Sequence, residues 1–105
     1  MALVEERCYA LHAPYGPKDF FEAYEKLGRK IQTETLGGLL GFYSTEVGEL
    51  NSVVSLWHYE SFEDRQVRRG KLAAMAQWHD YLKVVRPMIR TMNNRLLVPA
   101  LLGTK

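Results

Sequence analysis

The sequence predicts an α+β domain with the β-α-β-β-α-β order of a ferredoxin-like fold: a four-stranded antiparallel sheet carrying helices on one face. Three observations carry this. Strand-like runs recur at 3–12, 39–47, 51–61 and 95–99. Two intervening stretches repeat apolar residues at helical spacing. Glycine and proline punctuate the junctions, in "APYGP", "GG" and "GELN".

The first strand alternates Leu3, Arg7, Tyr9 and Leu11 in one row with Val4, Cys8, Ala10 and His12 in the other. Pro17 suits a first helical turn, where its missing N–H costs nothing. Phe20, Tyr24, Leu27 and Ile31 then predict a helix over 17–36, closed by Gly37 and Gly38. "LLGFYSTEV" is a second strand, and "GELN" turns it into a hairpin with "NSVVSLWHYES". Ser61 is placed to cap the next helix, with Asp64 three residues on. Phe62, Leu72, Ala73 and Met75 mark its expected buried side. Trp78, Tyr81, Leu82 and Val85 mark a further helical piece, which Pro87 disfavours continuing. "RLLVP" reads as a short last strand, confined by Pro99 to an edge or terminus.

A chain of 105 residues fits one domain, 1–105. It should bury roughly 65% of its unfolded surface, enough for one modest core. Fourteen basic residues against twelve acidic ones leave a net charge of +2, too little to imply nucleic acid or an anionic membrane. Cys8 is the only cysteine, which excludes an intrachain disulfide. The N-terminal "MALVEERCYALH" lacks the order of a signal peptide. No apolar run approaches the ~20 residues of a membrane span. Cytoplasmic residence is the expectation.

The strand 51–61 has no plainly polar face. Val53, Ser55, Trp57 and Tyr59 form one row; Ser52, Val54, Leu56 and His58 form the other. The small Cys8 and Ala10 with Val54 and Leu56 suit close packing under helices. That places Arg7, Tyr9, Trp57 and Tyr59 together on the face away from the helices. Large aromatics there would form an apolar patch, and a second copy of the sheet is the economical cover. The expectation is therefore a two-fold homodimer. The competing arrangement is a monomer whose aromatics are screened by the segment 88–105.

Residues 32–69, "QTETLGGLLGFYSTEVGELNSVVSLWHYESFEDRQVRR", resemble the NIPSNAP family. The "ETLGG" turn, "STEVG", "LN-VV-LW-Y-S" and "DR--RR" carry the likeness, and "ERCYAL", "YLKVVRPMI" and "NNRLL" extend it over nearly the whole domain. Glu6 stands where the common pattern carries an apolar residue. The resemblance implies a dimeric α+β barrel, in which two ferredoxin-like subunits pair through their sheets. The wider group of such barrels includes cofactor-free oxygenases, isomerases and haem enzymes, so membership narrows shape more than chemistry.

Chemical signatures are sparse. His12, His58 and His79 form no ligand-spaced pair, and Cys8 has no thiol partner, so no metal site is expected. His58 is expected on the helix-facing row as a structural histidine. His79 reads as a helix-surface residue, against a role as base or haem ligand. Cys8 reads as a small buried residue. "GGLLG" leads into a strand rather than a helix, so it is no phosphate loop. The basic run "RQVRRGK" sits beside Glu60, Glu63 and Asp64, which fits a solvated helix face with local ion pairs.

What remains is Arg7, Tyr9, Trp57 and Tyr59, with Glu46, Arg65 and Arg95 as rim candidates. Arginine can grip a carboxylate or an enolate oxygen, tyrosine can hold a proton, and tryptophan can stack on a planar ligand. The same set also suits an aromatic interface with no ligand. The biochemical role is left open by the sequence. The expected activity is binding of a small apolar or aromatic ligand between the paired sheets, without a cofactor. The alternative is a cofactor-independent oxygenase or isomerase acting on an aromatic or carbonyl compound. A protein-interaction adaptor is a third reading, for which no peptide-binding motif is evident.

Overall fold

The computed structural model describes residues 1–101. Strands β1 (Leu3–Leu11), β2 (Leu39–Ser44), β3 (Ser52–Tyr59) and β4 (Ile89–Leu97) form one sheet in the order β2-β3-β1-β4. All three pairings are antiparallel. Helices α1 (Pro17–Ala23) and α2 (Arg29–Leu36) follow β1; α3 (Phe62–Ala73) and α4 (Ala76–Val85) follow β3. The smallest dimension of the molecule is 19 Å, as two stacked layers require.

Local chemistry explains the boundaries. The Ser61 side chain accepts from the Asp64 N–H and caps α3. The reversal from α2 into β2 uses Gly37 and Gly38, both at φ 61°. At Gly38 a side chain would also collide with the His58 carbonyl oxygen, so the turn and the close strand approach both require glycine. Between α1 and α2 the chain forms a π-helical turn, Tyr24–Gly28. Its wider turn brings Gly28 under the Tyr81 ring and leaves Leu27 exposed, where regular spacing would bury Leu27.

The last strand is longer than expected. "IRTMNNRLL" pairs with β1 from Val4↔Leu97 to Leu11↔Ile89, although between its apolar ends only Met92 is apolar. Edge position explains the polar middle, since one side of the strand faces solvent. Ile89–Leu97 of the segment beginning at 88 thus joins the sheet edge; residues 102–105 lie outside the described residues. In α3, Leu72 is buried as expected, whereas Phe62, Ala73 and Met75 are exposed.

The two rows of the sheet are grouped as expected but inverted in facing. Arg7, Tyr9, Trp57 and Tyr59 do share a face, and it is the face beneath the helices. Val53, Trp57 and Tyr59 are buried in one core with Leu36 of α2, Leu72 of α3 and Trp78, Tyr81 and Val85 of α4. Val4, Cys8, Val54, Leu56 and His58 lie on the opposite face, which no helix covers. Side-chain size decides this. Trp57 and Tyr59 are at most 1% exposed, and an aromatic side chain gains most from complete burial under the chain's own helices. The small row, in contrast, is flat. The small Cys8 and Ala10, with Val54 and Leu56, obscured this in the sequence because they also suit close packing under helices.

Candidate functional site

Glu5 anchors the polar part of the buried face. It has no exposed surface. Arg65 reaches across from α3 and donates twice to its carboxylate, Nε at 3.2 Å and Nη2 at 2.8 Å. Arg7 Nη1 donates to the same carboxylate at 2.9 Å, and Asn94 Nδ2 at 2.9 Å. Burial alone would raise the Glu5 pKa. The hydrogen bonds from Arg65 and Asn94 and the charges of Arg7 and Arg65 outweigh it and lower the pKa to about 2.

Arg7 is held in turn. Its Nε donates to Tyr9 Oη at 2.9 Å. Burial would lower its pKa, but the contacts with Tyr9 and Glu5 prevail and keep the guanidinium charged. Because arginine can only donate, Tyr9 Oη is the acceptor in this pair, and its own O–H proton is free for another partner.

Arg7 and Tyr9 line a partly enclosed cavity of about 220 Å³ between the sheet and the helices. Phe20 and Tyr24 come from the first helical segment, Phe42 and Ser55 from the sheet, Arg69 and Ala73 from α3, and Trp78, His79 and Tyr81 from α4. The π-helical turn positions Tyr24, whose ring centroid lies 4.9 Å from that of Phe42 and 5.9 Å from that of Tyr81. Burial raises the pKa values of Tyr24 and Tyr81, so both phenols stay neutral at ordinary pH. Several polar atoms around this space have no hydrogen-bond partner among the described residues: Tyr24 Oη, Gln32 Oε1 and Arg69 Nη1. The carbonyl of Ala73 can only accept, so His79 Nε2 donates to it at 2.6 Å and leaves Nδ1 as an acceptor. An apolar ring could stack among the aromatics while a polar group meets the arginines.

The sequence-derived candidates separate. Arg7 and Tyr9 line the cavity. Trp57 and Tyr59 share their row but fill the core outside its lining; Trp57 Nε1 donates to Ser55 Oγ at 3.0 Å. Arg65 reaches inward only as far as Glu5. Arg95 lies on the uncovered face, paired to Glu6 at 2.9 Å, and Glu46 is exposed in the β2–β3 loop. His58 is also on the uncovered face, not under the helices. Cys8 joins it there, and burial together with the Glu49 and Glu6 charges raises its thiol pKa, the opposite of activation. Among the described residues no group of three His, Cys, Asp or Glu side chains is arranged to hold a metal. No helix among them is long and apolar enough to cross a membrane.

Sequence reasoning missed Glu5, Asn94 and Arg69. The first two meet across distant segments and leave no local signal. Arg69 did have one: Arg65, Arg69 and Leu72 follow helical spacing, which sets Arg69 on the stripe of a buried leucine.

The NIPSNAP family model matches residues 4–102. A NIPSNAP-like domain protein from Burkholderia xenovorans is 40% identical, with a TM-score of 0.93 over 99% of this chain and 90% of that one. A NIPSNAP family protein from Agrobacterium tumefaciens is 33% identical, with a TM-score of 0.90 over 95% of this chain and 94% of that one. SnoaB, a cofactor-independent oxygenase from Streptomyces nogalater, shares the fold at 10% identity, with a TM-score of 0.68 over 99% of this chain and 98% of that one. No curated protein matches.

Proposed function

The chain belongs to the NIPSNAP family, and we propose that it acts as a cytoplasmic homodimer binding a small apolar or aromatic molecule in the cavity between its own sheet and helices. The observation that carries this reading is the aromatic lining of that cavity around the Arg7–Tyr9 pair. Its volume, about 220 Å³, exceeds the roughly 150 Å³ of an apolar cavity known to take up benzene. One ring with a small substituent fits that scale. The ligand space therefore belongs to each subunit and not to the junction of two sheets.

The uncovered sheet face supports the homodimer. Val4, Cys8, Val54 and Leu56 give it an apolar part beside the Glu6–Arg95 ion pair, and a two-fold copy of the same surface would cover both. A stable pair would bury at least about 1,200 Å² in total. Cytoplasmic residence fits the lone, unpaired thiol of Cys8.

A second reading is a cofactor-independent oxygenase or isomerase acting on an aromatic or carbonyl compound. The free Tyr9 proton beside a fixed guanidinium favours it, since such a pair can stabilise an oxyanion. Native mass spectrometry of protein purified from its own host tests the primary reading. The expected result is a dimer retaining one small molecule per subunit. Ala73→Trp, which fills the lining, should remove that molecule and leave the dimer. Retention of the same molecule by Ala73→Trp, or a monomer in the wild type, would contradict the reading. Tyr9→Phe separates binding from catalysis: it should abolish turnover while preserving the bound mass if the enzyme reading holds.

A further inference from the structure

We infer that the ligand of this cavity is an organic anion, an aromatic carboxylate of one ring, and that Arg69 is the residue that selects its charge. The inference rests on the cavity being a ligand site and adds the ligand's charge and class.

The charge census of the lining is one-sided. Arg7, Arg69 and Arg86 contribute to it, and no aspartate or glutamate does. Among the described residues Glu5 is the sole carboxylate paired with any of them, and Arg65 shares it with Arg7. Arg69 and Arg86 make no ion pair among the described residues. The cavity therefore holds positive charge that no carboxylate among the described residues neutralises.

Arg69 differs from the other two. Arg7 already uses Nε on Tyr9 and Nη1 on Glu5. Arg86 stands at an exposed position. Arg69 Nη1 is buried and has no hydrogen-bond partner among the described residues. A buried donor of this kind is costly unless something accepts from it. Helix α3 also places Arg69 one turn after Arg65, a like-charge spacing that weakens a helix. Their neighbour Arg68 is accounted for: it donates to Asp64 at 2.7 Å and to the Leu36 carbonyl at 2.9 Å, tying α3 to α2. Arg69 does face the buried Tyr59 hydroxyl, whose pKa its charge lowers against the effect of burial, but its Nη1 is left over from that contact.

The apolar part of the ligand follows from the rest of the wall. Phe20, Tyr24, Phe42, Trp78 and Tyr81 offer ring faces and edges to a planar body. The Tyr9 O–H and Arg69 Nη1 are donors, and a carboxylate is acceptor-only. A guanidinium favours a carboxylate over a neutral group of the same shape because its hydrogen bond is charge-assisted.

The test is a methyl-NMR titration of the intact protein with benzoate and with benzyl alcohol at low salt. It follows the methyls of Leu82, Val85, Ile89 and Met92, which line the cavity. Benzoate should bind at least about tenfold more tightly, the lower range of a charge-assisted hydrogen bond. Arg69→Met should abolish that preference, and Arg69→Lys should restore part of it. Equal affinity of the two probes in the wild type overturns the anion inference and keeps the cavity as a ligand site. A preference that survives in Arg69→Met overturns the role of Arg69. Absence of any shift at these methyls with either probe overturns the ligand site and the inference together. The wild-type comparison decides the anion question even if Arg69→Met fails to fold.

Discussion

Replacing Glu5 with glutamine preserves side-chain volume but removes the charge that binds three donors. Its carboxyl is displaced from 4.5 to about 2. At ~1.36 kcal/mol per unit, that displacement corresponds to about 3 kcal/mol of stability at neutral pH. The folded pKa is the lower one, so this stabilisation is complete above 4.5 and is lost as pH falls toward about 2. Glu5→Gln should therefore lose about 3 kcal/mol at pH 7, near the lower end for breaking a buried ion pair. In urea, with a slope of roughly 1.5 kcal/mol/M, the midpoint should fall by about 2 M. Equilibrium unfolding of both proteins followed by tryptophan fluorescence measures this directly. Near pH 3 the gap should shrink to less than half, because the unfolded carboxyl is then protonated and folding must ionise it. A loss under about 1 kcal/mol at pH 7 would refute the reasoning, since it would mean that Arg7 and Arg65 do not depend on this carboxylate. So would a gap that acid leaves unchanged.

Three further outcomes follow from the fold. Trp57→Ala should cost about 3–5 kcal/mol in chemical denaturation without changing subunit number, whereas Val54→Asp on the uncovered face should shift sedimentation toward monomer. Gly38→Ala should lower stability by more than about 1 kcal/mol in thermal unfolding, because φ 61° and the nearby His58 carbonyl oppose any side chain. Ser61→Ala should cost about 0.5–2 kcal/mol by removing the cap on Asp64 N–H, measured by urea titration.

Much of the architecture is written in local pattern. Alternation placed β1 and β3, the glycine pair placed the α2–β2 reversal, and Ser61 placed the start of α3. Periodicity also grouped Arg7 and Tyr9 with Trp57 and Tyr59. It did not determine which way that group faces, because two rows of a strand can each be buried by different partners. The small Cys8 and Ala10, with Val54 and Leu56, made the other row look helix-facing, and nothing local marked Glu5 and Arg7 as buried. Their burial depends on Arg65, sixty residues along the chain, and on Asn94 at the far edge strand, and no local pattern announces such a meeting. The π-helical turn was equally hidden: "YEKLG" reads as an ordinary helix, and only the packing of Gly28 against Tyr81 accounts for the wider turn. In β4, the polar "RTMNN" concealed a strand whose pairing comes from β1 rather than from its own propensity.

Anomalous diffraction from crystals soaked in 3-bromobenzoate tests the central claim, that the ligand site lies between the sheet and helices of one chain. The expected result is a bromine peak inside the cavity, in contact with the rings of Phe20, Tyr24 or Trp78, and a carboxylate directed at Arg69. A bromine peak on the opposite sheet face, beside Val54 and Leu56, with the cavity empty, would contradict it.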